Sequence, residues 1–184
     1  MEYFDVINEN GSPTGKTKLR KDVHRDGDWH RAIDIWILNS KNELLLQKRS
    51  LQKESYPGLW EVSCSGHISA GEESRLSALR ELEEELGIKI DPEDLQFIFE
   101  VKESHITNNG TFINNEIKDV YLVQKDFDLN TLNLQTEEVS AVRWVNYQDL
   151  KQDLQNSPQI YVQHEAEYAR LFEYLDQHFD SDRK

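Results

Sequence analysis

The sequence contains a single cysteine, Cys64, in 184 residues. One thiol cannot form a disulfide within the chain or build a zinc site of several cysteines, so we expect a reducing compartment. The sequence also lacks any apolar run close to the roughly 20 residues that a membrane span requires. Residues 1–5 lack the basic and apolar regions of a signal peptide. We therefore expect a cytoplasmic protein that does not bind a membrane.

Positive charge is also scarce, because 21 Lys and Arg face 35 Asp and Glu and give a net charge of −14. A chain of this charge repels polyanions, so we do not expect a nucleic-acid polymer as a partner. An anionic small molecule would need a local group of basic side chains or a bound metal. At this length we expect one domain, spanning residues 1–184, with a sizeable core.

The segment from residue 74 to residue 86 has the apolar period of an amphipathic helix. Leu76, Leu79, Leu82 and Leu86 recur at steps of three and four, and Gly87 follows as a helix stop. We expect these four leucines to form one buried stripe.

Glu81, Glu84 and Glu85 lie at i, i+3 and i+4 of this helix and should project from one face. Like charges at this spacing cost about 0.2–0.5 kcal/mol per pair. A divalent cation would turn that cost into a gain, since hard ions such as Mg²⁺ take carboxylate ligands. Considered alone, the three glutamates are equally compatible with a solvated acidic face.

The residues around these glutamates favour a metal site, because the segment 66–88 resembles the Nudix box at every defining position. The matching residues are Gly66, Glu72, Arg80, Glu81, Leu82, Glu84, Glu85, Gly87 and Ile88. The resemblance implies the Nudix fold, an α+β protein in which a mixed sheet is flanked by helices as an α/β/α sandwich. It also implies that Mg²⁺, or Mn²⁺, is bound and that a diphosphate joined to a further group X is cleaved.

Strand patterns occupy most of the remaining chain. The predicted strands cover residues 3–7, 32–38, 43–48, 60–64, 95–101, 116–123 and 139–145. We expect hairpins between the second and third of these and between the fifth and sixth. Residues 1–28 would form an N-terminal strand extension, and helices are predicted at residues 147–154 and 158–180.

Two further groups of residues are candidates for binding. His24, Asp26, Asp28 and His30 lie within seven residues and form an unspecific candidate metal site. In the last helix, Tyr168, Leu171, Phe172 and Leu175 recur at helical spacing, which predicts packing in the core or in a homodimer interface.

Arg49 and Lys53 lie where a predicted core strand gives way to a loop. Loops at the ends of rigid strands commonly carry binding residues, and an arginine there can bind a phosphate through two nitrogen atoms. Trp60 suits core packing and substrate contact equally. Together with His67, these residues are the substrate-binding candidates.

Residues 47–67 are also similar to type I isopentenyl-diphosphate isomerases, which share the Nudix fold, and the similarity extends over about residues 1–150. In those isomerases the residues corresponding to Arg49 and Lys53 contact the diphosphate. Histidines corresponding to His30 and His67 bind a metal there. The resemblance therefore implies an isomerase-like scaffold.

The chemistry of the isomerases is not fully present. Their catalytic cysteine immediately precedes the Gly-His pair, where this chain has Ser65, and Cys64 should point to the other face of its strand. One of their two metal-ligand glutamates in a later strand is Asn114 here, whereas the other is retained as Glu116. The isomerases lack the full Nudix glutamate set that this chain carries. We infer a hydrolase site on an isomerase-like scaffold.

The predicted mechanism uses Mg²⁺, or Mn²⁺, held by Glu81, Glu84 and Glu85 to orient the diphosphate and acidify a water molecule. Glu84, Glu85 or Glu116 would accept the proton of that water. Arg80 is expected to hold an acidic residue or a loop in place within the catalytic site.

Three functions are compatible with these residues. The first is a Mg²⁺-dependent hydrolase of a small-molecule diphosphate, in which X is nucleotide-like or isoprenyl-like. The second is isopentenyl-diphosphate isomerisation, and the third is ligand binding without catalysis. The sequence does not identify X.

Overall fold

The fold is built on a nine-stranded mixed sheet and four α-helices, seen in a computed structural model that describes residues 1–179. The strands are β1 (Tyr3–Ile7), β2 (Pro13–Leu19), β3 (Trp29–Leu38), β4 (Glu43–Arg49), β5 (Trp60–Glu61), β6 (Cys64–His67), β7 (Gln96–Thr107), β8 (Phe112–Gln124) and β9 (Val139–Asn146). The helices are α1 (Arg20–Asp26), α2 (Ser74–Leu86), α3 (Tyr147–Asn156) and α4 (Glu165–Phe179).

The central strand is β3, which pairs in parallel with β8 along its whole length. The other edge of β3 is shared in turn by β1, β6 and β4. The hairpin predicted between residues 32–38 and 43–48 is present as an antiparallel pair, but it is short. β3 and β4 meet only at Leu38 and Leu44, because β4 turns away to pair with β5 and β9.

Alternate residues of β3 enter two cores on opposite faces of the sheet. Ile33 and Ile35 pack on the side covered by α2, together with Leu82. Trp36 packs on the side covered by α3 and α4, together with Leu171. Burying each such leucine contributes about 1.5–3 kcal/mol. Because both faces of the sheet are covered, the sequence of β3 is almost continuously apolar. The predicted α/β/α arrangement is confirmed.

The hairpin of β7 and β8, with its turn at Asn108–Gly110, is confirmed. The C-terminal helix starts at Glu165 rather than residue 158, and its predicted end at residue 180 lies outside the described residues. Tyr168 and Leu171 of this helix are buried in the core. Among the helices that the structure describes, none is both long and apolar enough to cross a membrane.

The N-terminal extension contains the predicted strand at residues 3–7, and also β2 and α1, which were not among the predicted elements. Its strand β1 binds the loop that precedes α2. Ala70 donates its backbone N–H to Tyr3 O at 2.8 Å, and Gly71 donates its N–H to Asp5 Oδ2 at 2.8 Å. The extension therefore supports the loop of the Nudix box directly.

Candidate active site

One face of α2 and the neighbouring strands border an open cavity of about 730 Å³. Eight of the predicted site residues line it: Arg49, Lys53, His67, Arg80, Glu81, Glu84, Glu85 and Glu116. Trp60 is not among the lining residues. Its ring packs at the edge of the core, with the Arg143 guanidinium 4.1 Å from the ring centre.

The helix α2 has the predicted bounds, but its buried face differs from the prediction. Ala78, Leu82 and Leu86 face the core, whereas the side chain of Leu76 is 55% exposed. The prediction that Leu76 belongs to the buried stripe is wrong, because Ser77 and Ala78 take the inward positions of the first turns. This orientation turns the acidic residues of the second half of the helix toward the cavity.

Gly66 lies against α2 at the point where β6 meets the helix. A Cβ atom on Gly66 would lie 2.4 Å from the Cγ and Cδ atoms of Glu81. Because real contacts at that distance do not occur, only glycine lets the strand approach the Glu81 side chain in this position.

Arg80 binds three glutamates of the box. Its guanidinium lies 3.1 Å from Glu72 Oε2, 2.8 Å from Glu81 Oε1 and 3.1 Å from Glu84 Oε2. The hydrogen bond from Arg80 lowers the pKa of Glu72, and Ser77 Oγ also donates to this carboxylate at 2.7 Å. The structure thus brings Arg80 into contact with three acidic side chains, and its predicted role of holding such a residue in place within the catalytic site stays a prediction.

Glu85 is only 4% exposed and accepts a hydrogen bond from Gln47 Nε2 at 3.1 Å. Burial raises its pKa to about 8; Lys53 opposes this shift, whereas Glu81 and Glu61 add to it. Burial also raises the pKa of Glu81. A cation would stabilise these two crowded carboxylates, so the donor set fits the predicted Mg²⁺ site.

The two basic candidates are held at the cavity by acidic partners. Arg49 Nη1 lies 2.6 Å from Glu61 Oε1, and Arg49 Nε donates to Ser55 O at 2.9 Å. Lys53 forms an ion pair with Glu138. Both cations are therefore positioned before any ligand binds.

His24, His30 and His67 come together from α1, β3 and β6, with potential ligand atoms all within 4.8 Å of one another. Of the four residues in the candidate metal site around His24, the structure brings His24 and His30 into this cluster. Asp26 and Asp28 do not join the cluster, because both pair with a lysine of β2.

Glu116 lies beside this histidine cluster, with its Oε1 3.1 Å from His67 Nε2 and 3.6 Å from His30 Nε2. Burial lowers the pKa of His67 and, with the neighbouring histidines, lowers that of His24 to about 3. His30 Nδ1 donates to Asp28 O at 3.1 Å, which leaves a lone pair on Nε2. The Nε2 atoms of His30 and His67 are buried, and within residues 1–179 the group facing both is Glu116, whose oxygen is not aligned for a regular hydrogen bond with either. Imidazole nitrogens beside a carboxylate fit a transition-metal site.

Cys64 and Ser65 lie on opposite faces of β6, as the strand period predicts. Ser65 lines the cavity, whereas Cys64 is fully buried in the core. Burial raises the pKa of the Cys64 thiol well above its ordinary value. The thiol is therefore poorly ionised, and it meets the site only from the core side, through a hydrogen bond with Glu85.

A further polar group on the cavity was missed by the sequence analysis. Glu103 Oε2 lies 2.9 Å from Lys118 Nζ and 2.8 Å from His164 Nδ1, and His105 Nε2 lies 3.3 Å from the same oxygen. Glu103 and His164 are 61 positions apart in the chain. No local pattern links such distant residues, so only the fold brings them together.

Comparison with known proteins gives consistent results. A family model described as NUDIX domain matches residues 28–165. Nudix hydrolase 3 of Arabidopsis thaliana is 47% identical over 181 residues, which cover 96% of this chain but only 23% of that protein. Isopentenyl-diphosphate Delta-isomerase 2 of Photorhabdus laumondii is 32% identical over 162 residues, 88% of this chain and 86% of that protein. A crystal structure from Deinococcus radiodurans superposes with a TM-score of 0.64 at 23% identity, covering 85% of this chain and 90% of that one.

The family model covers most of the chain, and its range includes the whole of the box with its glutamates. The relatives named above include both a Nudix hydrolase and an isomerase, the two groups that the sequence resembles. The structural neighbour has the same fold. The chain therefore belongs to the Nudix hydrolase family, whose enzymes act on diphosphate bonds.

Proposed function

We propose that this protein is a Mg²⁺-dependent hydrolase that cleaves the diphosphate bond of a small molecule. The observation that carries the proposal is that Glu81, Glu84 and Glu85 face the same cavity as Arg49 and Lys53. The cavity thus combines hard oxygen ligands for a divalent ion with two cations that bind phosphate.

Glu81, Glu84 and Glu85 would hold the Mg²⁺, or Mn²⁺, which when bound neutralises the phosphates and lowers the pKa of a water molecule. Arg49 and Lys53 bind the phosphate oxygens and fix the direction of attack on phosphorus. Their ion pairs with acidic residues hold both cations in place until the substrate arrives.

Three carboxylates of the cavity are placed to accept the proton of the attacking water. Glu84 has a side chain that is 53% exposed, so solvent reaches it. Glu85 and Glu116 line the same cavity but are buried. Proton transfer to a carboxylate at this position contributes about 10²–10⁴-fold to the rate.

Substitution of the glutamates tests this function. We expect Glu84→Gln and Glu85→Gln each to lower kcat at least about 100-fold, because each removes a charged ligand but keeps the side-chain volume. Glu83→Gln is the matched control, since Glu83 lies on the same helix but pairs with the exposed Lys89. The kcat of this control should stay within about twofold of the wild-type value, because surface substitutions of this kind usually have small effects.

The measurement is phosphate or pyrophosphate release from nucleoside diphosphates, nucleotide sugars and isoprenyl diphosphates with Mg²⁺ or Mn²⁺. Thermal unfolding of each variant checks that it is folded. Full turnover in both Glu84→Gln and Glu85→Gln, or an equal loss in the Glu83 control, would contradict the proposal.

The isomerase alternative is supported by the histidine cluster and by Glu116. It is opposed by Cys64, which lies in the core, and by Ser65, which occupies the cavity position. Conversion of isopentenyl diphosphate to dimethylallyl diphosphate by the purified protein would establish it. Ligand binding with no phosphate release under Mg²⁺ or Mn²⁺ would instead identify a non-catalytic domain.

A further inference from the structure

Four further polar or aromatic residues line the same cavity, namely Tyr56, His105, Lys118 and His164. We call this group the far wall; it adjoins the candidate diphosphate site at Arg49, which donates to the residue before Tyr56. The far wall contains none of the glutamates of the box and neither of the basic candidates Arg49 and Lys53. It is therefore available to a part of the substrate other than the reacting phosphates.

Glu103 sets the orientation of both histidines of the far wall. Its Oε2 lies 2.8 Å from His164 Nδ1 and 3.3 Å from His105 Nε2. Burial acts to raise the pKa of Glu103, but hydrogen bonds from His105 and His164 and the charge of Lys118 outweigh it and lower the pKa well below its ordinary value. An ionised carboxylate only accepts hydrogen bonds, so His105 Nε2 donates to it. His164 Nδ1 lies between this acceptor and the Lys118 ammonium, which is 3.2 Å away and can only donate.

This arrangement leaves one ring nitrogen of each histidine for a ligand. In the neutral His105 ring the lone pair lies on Nδ1. In His164 the remaining nitrogen is Nε2, which a hydroxyl group can satisfy in either tautomer because a hydroxyl both donates and accepts. His164 Nε2 is buried and has no hydrogen-bond partner within residues 1–179. The His105 side chain is 25% exposed and so remains open to a ligand in the cavity. An acceptor left unpaired beside an apolar ligand is costly, whereas a hydroxyl group satisfies it.

Glu103, His105 and His164 also have ligand atoms within 4.8 Å of one another, the spacing of a metal site. Lys118 argues against a metal here, because its Nζ lies 2.9 Å from Glu103 Oε2 and 2.8 Å from Asp34 Oδ2. An ammonium group this close to the same carboxylate repels a second cation. The far wall is therefore suited to hydrogen bonding.

Tyr56 completes the far wall from the loop that follows β4. Its backbone has a φ of 51°, which is uncommon for a bulky residue and persists only where the surroundings enforce it. The preceding Ser55 is held by Arg49, which donates to its backbone oxygen at 2.9 Å and to its hydroxyl at 3.2 Å. The Tyr56 ring meets the His105 ring edge-on, with centroids 6.4 Å apart.

We propose that the far wall is a specificity subsite that recognises the hydroxyl groups of a sugar-like X and rejects an isoprenoid chain. The proposal rests on the proposed hydrolase function and deepens it by naming the substrate class and the residues that select it. His105 and Tyr56 bind the hydroxyl groups directly. Glu103 is a positioning residue that acts through the two histidines.

The test compares kcat/KM with Mg²⁺ for ADP-ribose and for isopentenyl diphosphate. The wild type should favour ADP-ribose at least about 100-fold, because a site built around hydrogen bonds discriminates strongly against a substrate without hydroxyl groups. His105→Leu should lower this preference about tenfold, since it removes one acceptor. His105→Asn, which can place an amide oxygen near the Nδ1 position, should restore most of the preference.

Tyr56→Phe provides a second variant if His105→Leu does not fold, because it removes a single hydroxyl group. It should lower the preference for ADP-ribose severalfold. An equal loss on both substrates in the folded variants, or a wild-type preference for isopentenyl diphosphate, would overturn the subsite and leave the hydrolase function standing.

If the proposed hydrolase function itself is wrong, the wild-type protein will release no product from either compound. Calorimetric titration of the wild type with both compounds then decides the subsite. Tighter binding of ADP-ribose that is weakened by His105→Leu supports it, and equal binding of the two compounds refutes it.

Discussion

Gly66→Ala is predicted to inactivate the enzyme through a single displaced side chain. The added Cβ would lie 2.4 Å from Cγ and Cδ of Glu81, whereas ordinary carbon contacts are about 3.5–4.0 Å. The Glu81 side chain must therefore move by roughly 1 Å. This movement takes its carboxylate away from Arg80, which it meets at 2.8 Å, and from its place in the cavity. We expect kcat to fall about 100-fold, the effect of a misplacement of this size.

The assay is product release with Mg²⁺, with the free energy of unfolding measured in urea to separate activity from stability. Overpacking of this kind should cost about 1–3 kcal/mol. Glu81→Ala provides the control, because the shortened side chain has no Cγ for the new methyl group to meet. Adding Gly66→Ala to Glu81→Ala should then have little further effect on kcat. Full activity of Gly66→Ala, or an additive loss in the double variant, would refute the reasoning.

The remaining predictions concern stability. Glu85 has a pKa of about 8 in the folded protein, whereas its ordinary value is 4.5. Without metal, the free energy of unfolding should therefore fall as the pH rises from 4.5 to 8, by as much as about 5 kcal/mol. Glu85→Gln should therefore gain stability relative to the wild type at pH 8 but not at pH 4, and an equal difference in urea unfolding at both pH values would contradict this. Leu82→Ala should cost about 2–5 kcal/mol because Leu82 is fully buried. Leu76→Ala, at a residue 55% exposed, should cost less than about 1 kcal/mol, and similar urea midpoints for the two variants would argue against the observed orientation of α2.

The elements that depend on neighbouring residues could be predicted from the sequence. The helix α2 has the predicted bounds, because its end is set locally by Gly87, which adopts a left-handed φ of 68°. The hairpin of β7 and β8 was also predicted, since its strands flank a turn at Asn108–Gly110. The short helix α1 was missed because it buries only Val23 and His24, which is too few residues to give an apolar period.

Elements whose partners are distant in the chain could not be predicted in this way. The hairpin of β3 and β4 was predicted because adjacent strands usually pair, but it extends no further than Leu38 and Leu44. In the structure β3 pairs in parallel with β8, a crossover that no local pattern specifies. The exposure of Leu76 has the same origin, since the face of α2 that is buried depends on the sheet it packs against.

The sequence by itself determined the family of this protein and the common face of its box glutamates. The spacing of Glu81, Glu84 and Glu85 on one helix fixes a common face for three carboxylates, because helical geometry is local. The tertiary structure alone decided what lies opposite that face. It brings Glu116 to the histidine cluster and His164 to Glu103 across 61 positions of the chain, because parallel pairing and helix packing join residues that have no relation in sequence. The carboxylates proposed to bind the metal are therefore placed by local helical geometry, and the shape and hydrogen bonds of the cavity around them are set by the fold.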